Sequence, residues 1–483
     1  MSDLYHEPWP PKEISLREIT ISAFTETGQP ESSIIVPLQR AYTGRKPVIS
    51  SRLADTPCTT FGIQGLLDQL NITLGTPHTL DTPSLSSLLE DCITNDYNFG
   101  MAYGLLRRIW YTHDWSTIRT EVCKWGKEDR EKRQKALVNN QIINPDLPPR
   151  RVWDLYSNRV VPVWIMNINP DVESRQCPDP ISHTWVDEKD RVDMWLPINR
   201  YEWPVPIPKD ASLDLVRIEM LNLGLEYAWL DVLCLRQAGG LEEDVRMKEW
   251  RLDVPTIGTV YQWPAKVMTY LSGLGRPLTL KDGDLDSGRC WFRRTWTLQE
   301  VGETSVIVGN TPDGPLHTEH KDGKYETELL TRFHKHLQSM EDMLYRVLGA
   351  LEEMQKRVST NPVDKIAGLA FVMASKTIPA YYESQSLEEA WTALVNLMDC
   401  WLREELLFLG PEPGNAGTKW RPSWDQVMMR PLPTYDHDPG VFVDWDEGRD
   451  EDSCDVYCIE RGLVQGLAVV EGPRDRLVID TES

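Results

Sequence analysis

Residues Tyr227 to Gln237 read YAWLDVLCLRQ. From Tyr227 to Leu235 the only charged residue is Asp231. A near-continuous apolar run predicts a strand buried on both faces of a parallel sheet, because a strand with one wet face would alternate. Upstream, Leu213, Val216, Met220 and Leu223 follow helical spacing. Asp210 is placed to cap that helix and Gly224 to end it. Earlier still, Pro180 to Trp185 (PISHTW) fits a short strand and its outgoing loop. Downstream, Trp250, Val254, Ile257 and Tyr261 share a helix face, with Pro255 starting or kinking the second half. Lys266 to Leu271 (KVMTYL) reads as a third strand, Arg289 to Glu300 as a helix and Thr304 to Val308 as a fourth strand. Strand–helix alternation of this kind predicts right-handed βαβ units and a parallel sheet of about four or five strands.

The rest of the chain divides around this α/β region, 176–312. Its 483 residues suffice for about two to four domains at ~150 residues each. Residues 1–175 form a mostly helical region. It has helical patterns from Leu85 to Trp115, a charged solvated helix from Lys124 to Lys135, and a proline-punctuated loop from Asn144 to Arg151. Residues 313–483 begin with helical stretches at Glu326 to Val358 and Ser386 to Leu406. After Pro411 the chain turns irregular, with short β-like runs at Val441 to Val443 and Leu463 to Val470. No internal repeat and no nucleotide-binding loop is evident.

Composition excludes several classes of function. The formal net charge is −23, which repels a phosphate backbone and an anionic bilayer, so neither nucleic acid nor membrane is an expected partner. Met1 to Glu13 has no apolar h-region, and no apolar run approaches the ~20 residues of a spanning helix. Nine dispersed cysteines, with only Cys454 and Cys458 close together, read as thiols in a reducing, cytoplasmic compartment rather than as a disulfide framework or a metal site.

Candidate functional residues cluster at three places. Asp231 and Gln237 stand where the central strand ends, and open α/β sheets bind ligands beyond the carboxyl ends of their strands. Asp231 equally suits a turn cap or an internal pair. In Arg289 to Gly302 (RCWFRRTWTLQEVG), Arg293, Trp296 and Glu300 fall on one helical stripe able to take a flat, polar ligand. The same stripe also fits a surface ion pair beside a packed indole, while Trp291 and Leu298 read as core. His183, in ISHTW, can act as an acid–base group or as a satisfied loop residue.

Together these motifs resemble the fungal heterokaryon-incompatibility (HET) domain. YAWLDVLCLRQ is similar to its Y-x-W-(I/L)-D-x-x-C-(I/L)-x-Q signature, and RRTWTLQE to its R-x-W-T-L-Q-E signature. ISHTW fits the opening strand, although His183 and Val186 replace the tyrosine and glycine of the usual S-Y-x-W-G. Arg357 to Phe371 and Trp420 to Trp424 resemble elements that follow such domains. The likeness covers 176–312 well, 357–470 loosely and the first 175 residues not at all.

HET domains in turn resemble Toll/interleukin-1-receptor (TIR) domains. ISHTWVDEKD is similar to the opening F-I-S-x-R-x-x-D, and CWFRRTWTLQEV to the W-C-x-x-E-L helix. The resemblance implies a flavodoxin-like (TIR-like) parallel sheet with helical and irregular flanking regions. It also implies a non-self response or cell-death effector that acts after self-assembly or with a protein partner. By position, Glu300 matches the glutamate with which TIR enzymes cleave NAD. NAD or a related nucleotide is then the substrate rather than a bound cofactor. Glu300 and Asp231 become the catalytic pair, with His183, Trp185, Arg293, Trp296 and Gln237 holding substrate. Two other readings stay open: a non-catalytic oligomerisation module, and a cysteine hydrolase built on Cys234 and His183.

Overall fold

The computed structural model describes residues 16–111, 115–167, 177–262, 264, 266–279, 285, 290–301, 305–311, 328–343, 346–373, 376–407, 409, 412–432, 443–446 and 451–454. The expected run at Leu463 to Val470 lies outside them, as do Gly302 and most of 441–443.

The fold is α/β around a six-stranded mixed sheet. Its strands are β1 (Arg151–Asp154), β2 (Arg159–Pro162), β3 (Asp179–His183), β4 (Tyr227–Leu230), β5 (Val267–Tyr270) and β6 (Ser305–Ile307). They lie side by side in the order β6-β5-β3-β4-β1-β2. The four strands β6, β5, β3 and β4 are mutually parallel, as the apolar character of YAWL requires. Numbered among themselves, they run 2-1-3-4 from β4 outward. The sheet then continues into β1 and β2, which are antiparallel and come from the region read as helical.

Six helices matter to the site: α1 (Phe99–Leu106), α2 (Ile118–Ala136), α3 (Leu213–Asn222), α4 (Glu243–Asp253), α5 (Ile257–Gln262) and α6 (Asp364–Val372). Helix α3 connects β3 to β4, and α4 and α5 connect β4 to β5. The chain breaks between α4 and α5 where Pro255 cannot donate. Asp210 does not cap α3; the cap is at Ser212, and Asp210 pairs instead with Arg276 at 2.7 Å. The strand expected to run to Leu235 stops at Leu230. Asp231 Oδ1 accepts the N–H of Val232 at 2.8 Å, and Asp231–Cys234 closes into a helical turn.

One continuous core runs from Ile21 to Val427 and draws on all three regions. Buried cations tie the N-terminal region to the sheet. Arg107, fully buried on the C-terminal side of α1, donates to Asp154 at 2.8 and 3.1 Å and to Glu226 at 2.6 Å. Arg217 of α3 reaches the carbonyls of Ile49 at 2.6 Å and Leu155 at 2.7 Å. On the other side, α5 packs against α6 through Gly258, where a Cβ would stand 2.1 Å from the Phe371 ring.

Candidate functional site

The carboxyl ends of β3 and β4 place the site. Leu230 pairs with Ile181, so His183, the last residue of β3, and Asp231, the first beyond β4, emerge together. His183 Nε2 donates to Asp231 Oδ1 at 3.0 Å. The Trp185 ring stacks near His183, with centroids 6.0 Å apart and planes 17° from parallel. The Arg294 guanidinium lies 5.3 Å from the Trp185 centroid and donates to the His183 carbonyl. One residue back along β3, the Ser182 hydroxyl donates to the Glu300 carboxylate and accepts from Trp291 Nε1 at 2.6 Å.

The two carboxylates are driven in opposite directions. Burial pushes the Glu300 carboxyl above its ordinary value; the Arg294 charge and the Ser182 hydroxyl pull it down but do not cancel the effect, and Asp231 adds to the rise. Burial acts upward on Asp231 too. There the His183 charge and hydrogen bond, the Arg294 charge and the Val232 N–H more than offset it, and the carboxyl sits below its usual value. Tyr261 of α5, raised first by burial, is raised further by Glu300 and Asp231, so both acids bear on one phenol. Two neighbouring buried acids moved in opposite directions are the pattern from which separate catalytic roles are built.

Of the residues singled out in the sequence, His183, Trp185, Asp231 and Glu300 come together here. Gln237 supports the turn, donating to the carbonyls of Leu235 at 2.9 Å and Asp231 at 3.3 Å. Arg293 and Trp296 do not join them. The expected helix is instead two 3-10 turns, Trp291–Arg293 and Trp296–Leu298, with Arg294 extended after the first (φ −83°, ψ 137°). The shared stripe therefore does not exist. Arg293 turns to the Lys356 carbonyl at 3.0 Å, and the Trp296 ring lies 6.5 Å from Tyr381.

The cause is tertiary. Thr297 Oγ1 bonds the carbonyls of Trp291 at 2.6 Å and Arg294 at 2.8 Å. Val358 N takes the Arg293 carbonyl at 2.6 Å, and Arg357 takes that of Arg294 at 2.8 Å. With these acceptors occupied, a regular i→i−4 ladder cannot form. Gln299 is held in turn by the carbonyls of Gly368 at 2.8 Å and Ala367 at 3.1 Å. The RVSTNPVDKIAGLAF stretch thus clamps the RRTWTLQE loop that delivers Glu300.

Four members were missed in the sequence: Ser182, Tyr261, Trp291 and Arg294. Arg294 stands beside the arginine that was chosen, and only the wrong helical phase hid it. Ser182 was visible as the neighbour of His183, whereas nothing marked Tyr261. Cys234 is 1% exposed, and burial pushes its thiol up to about 12, which leaves little thiolate for a cysteine hydrolase.

No family model, curated protein or solved structure matches the chain. Among the described residues no helix is long and apolar enough to cross a membrane, and no group of His, Cys, Asp and Glu is arranged to hold a metal ion.

Proposed function

We propose that this chain is an effector of heterokaryon-incompatibility type, which triggers cell death or a non-self response by hydrolysing NAD through Glu300. The observation that carries the proposal is the convergence of Glu300, Asp231, His183, Trp185 and Arg294 at the carboxyl ends of adjacent parallel strands. The 2-1-3-4 order of those strands supports a flavodoxin-like, TIR-like core, whose crevice lies at this edge. In the reaction the bond from ribose C1′ to the nicotinamide nitrogen breaks with its electron pair leaving on nicotinamide. Water adds to C1′ and releases a proton. The intermediate cation is oxocarbenium-like, and a carboxylate stabilises it. Glu300 fills that role, with ribose hydroxyls replacing Ser182 as its donor. Trp185 offers a flat surface, and Arg294 a fork for phosphate.

A second reading has its own support. Glu300 is 7% exposed and already satisfied by Ser182, as a purely structural acid would be. The domain would then signal by oligomerisation, without chemistry. Incubation of the purified protein with NAD, scored for nicotinamide release, separates the two, with Glu300→Gln as the control. Release by the wild type and its loss in a folded variant supports hydrolysis. Cell death at the wild-type level from folded Glu300→Gln removes the catalytic role.

A further inference from the structure

A cavity of about 640 Å³ lies away from Glu300, between α1, α2, the edge strand β2 and the loop 199–203. That volume is in the range of small-molecule sites. Its lining gathers Arg119, Arg151, Arg200 and Arg236, against the acids Asp91 and Glu202. In a chain of net charge −23, a concave surface with more guanidinium than carboxylate is set apart from its surroundings.

The guanidinium groups are unequally satisfied. Arg119 is closed by Asp91 through two bonds, at 2.9 and 3.0 Å. Arg151 is held by Glu249 through Nη2, yet its buried Nη1 has no hydrogen-bond partner. Arg236 is closed by carboxylates, with Glu202 at 2.8 Å, Glu242 at 3.4 Å and its Nε 3.3 Å from Glu249. Arg200 lies over the Tyr97 ring at 5.1 Å, with no carboxylate within ion-pair distance among the described residues. The buried Oδ1 of Asn199 also lacks a partner. Buried polar atoms in folded proteins are ordinarily satisfied, so orphans gathered around one cavity point to a missing ligand. Arg200 and Tyr201 have left-handed backbones, at φ 59° and 57°. They close the 3-10 turn Pro197–Asn199, with the Arg200 N–H on the Pro197 carbonyl at 3.1 Å and the Tyr201 N–H on that of Leu196 at 3.0 Å.

The walls supply the other half of the specificity. Tyr97, Trp164 and Trp203 line the cavity, and the Arg151 and Arg236 guanidiniums stand 5.4 and 5.2 Å from the Trp203 centroid. Flat rings beside cations with spare donors suit a flat ring that carries an anionic group. Trp203 Nε1 also donates to the Val232 carbonyl at 3.1 Å, so the pocket backs onto the turn that carries Asp231.

We infer that this cavity is a second ligand site, distinct from the Glu300 site, for a small molecule that joins a planar ring to a phosphate or carboxylate. Cys123 lines it and is exposed, which provides a local reporter. Full-length protein is alkylated with iodoacetamide, and the rate at Cys123 is read by peptide mass spectrometry, with Cys454 as an internal reference. The probes are AMP, adenosine and inorganic phosphate. AMP is expected to slow Cys123 alkylation at least five-fold. Adenosine and phosphate, each with half the chemistry, are expected to need at least ten-fold higher concentrations. Arg200→Asn, which tolerates the left-handed backbone, is expected to raise the AMP requirement at least ten-fold, while Glu300→Gln leaves it unchanged. Absence of protection by AMP overturns the site. Equal protection by phosphate alone overturns the ring requirement. Protection lost in Glu300→Gln but kept in Arg200→Asn assigns the effect to the other site and also overturns the inference.

Discussion

Arg294→Met removes a guanidinium that bears on both carboxylates and keeps an apolar stem of similar length. The guanidinium donates to the His183 carbonyl and lies over Trp185. A charged donor on a carbonyl contributes about 1.5–3 kcal/mol, and a cation over an indole about 0.5–2 kcal/mol. Because the contacts share one side chain, the expected loss is about 2–4 kcal/mol at neutral pH rather than their sum. The loss should depend on pH through Glu300. Its folded-state pKa lies above the ordinary 4.5, so the folded state binds more protons and ionisation costs stability as pH rises. Without Arg294 that cost grows. The variant should therefore lose more near pH 7.5 than near pH 5, because lower pH protonates more of Glu300 and removes charge that Arg294 meets. Urea titration of both proteins at the two pH values measures this. A loss below about 1 kcal/mol, or one equal at both pH values, would refute the view that Arg294 compensates buried charge.

Three further outcomes complement this and the Glu300→Gln assay. Trp229, 1% exposed and edge-on to Tyr261 at 5.8 Å, should cost about 3–5 kcal/mol when changed to Ala, read from the denaturation midpoint. Cys234 should resist iodoacetamide in the native protein long after exposed Cys123 is modified, since burial holds its thiol near 12; prompt labelling would contradict this. Asp231 has its carboxyl held below 3.8, so the stability it contributes is present above that value and lost as pH falls through its lower folded value. Thermal melts of Asp231→Asn should accordingly show a deficit at neutral pH that closes in acid.

The parallel strands were legible because burial on both faces leaves a signature in the chain itself. YAWL, KVMTYL and PISH are apolar enough to be strands and too short to be helices. His183 and Asp231 were found by position, because a strand's end is a sequence feature and carboxyl ends converge in parallel sheets, whereas Glu300 came from the motif resemblance. What the sequence could not settle was the geometry of residues 290–300. Helical spacing there was real, but spacing states only which side chains would align if the backbone closed its own hydrogen bonds. Those carbonyls are taken instead by Thr297, Arg357 and Val358, two of them some sixty residues away. That competition replaced Arg293 with Arg294 at the site. The strands β1 and β2 were hidden for a similar reason. They join the sheet antiparallel at its edge, anchored by Asp154 beneath the buried Arg107, and local pattern carries no record of which distant cation a carboxylate will meet.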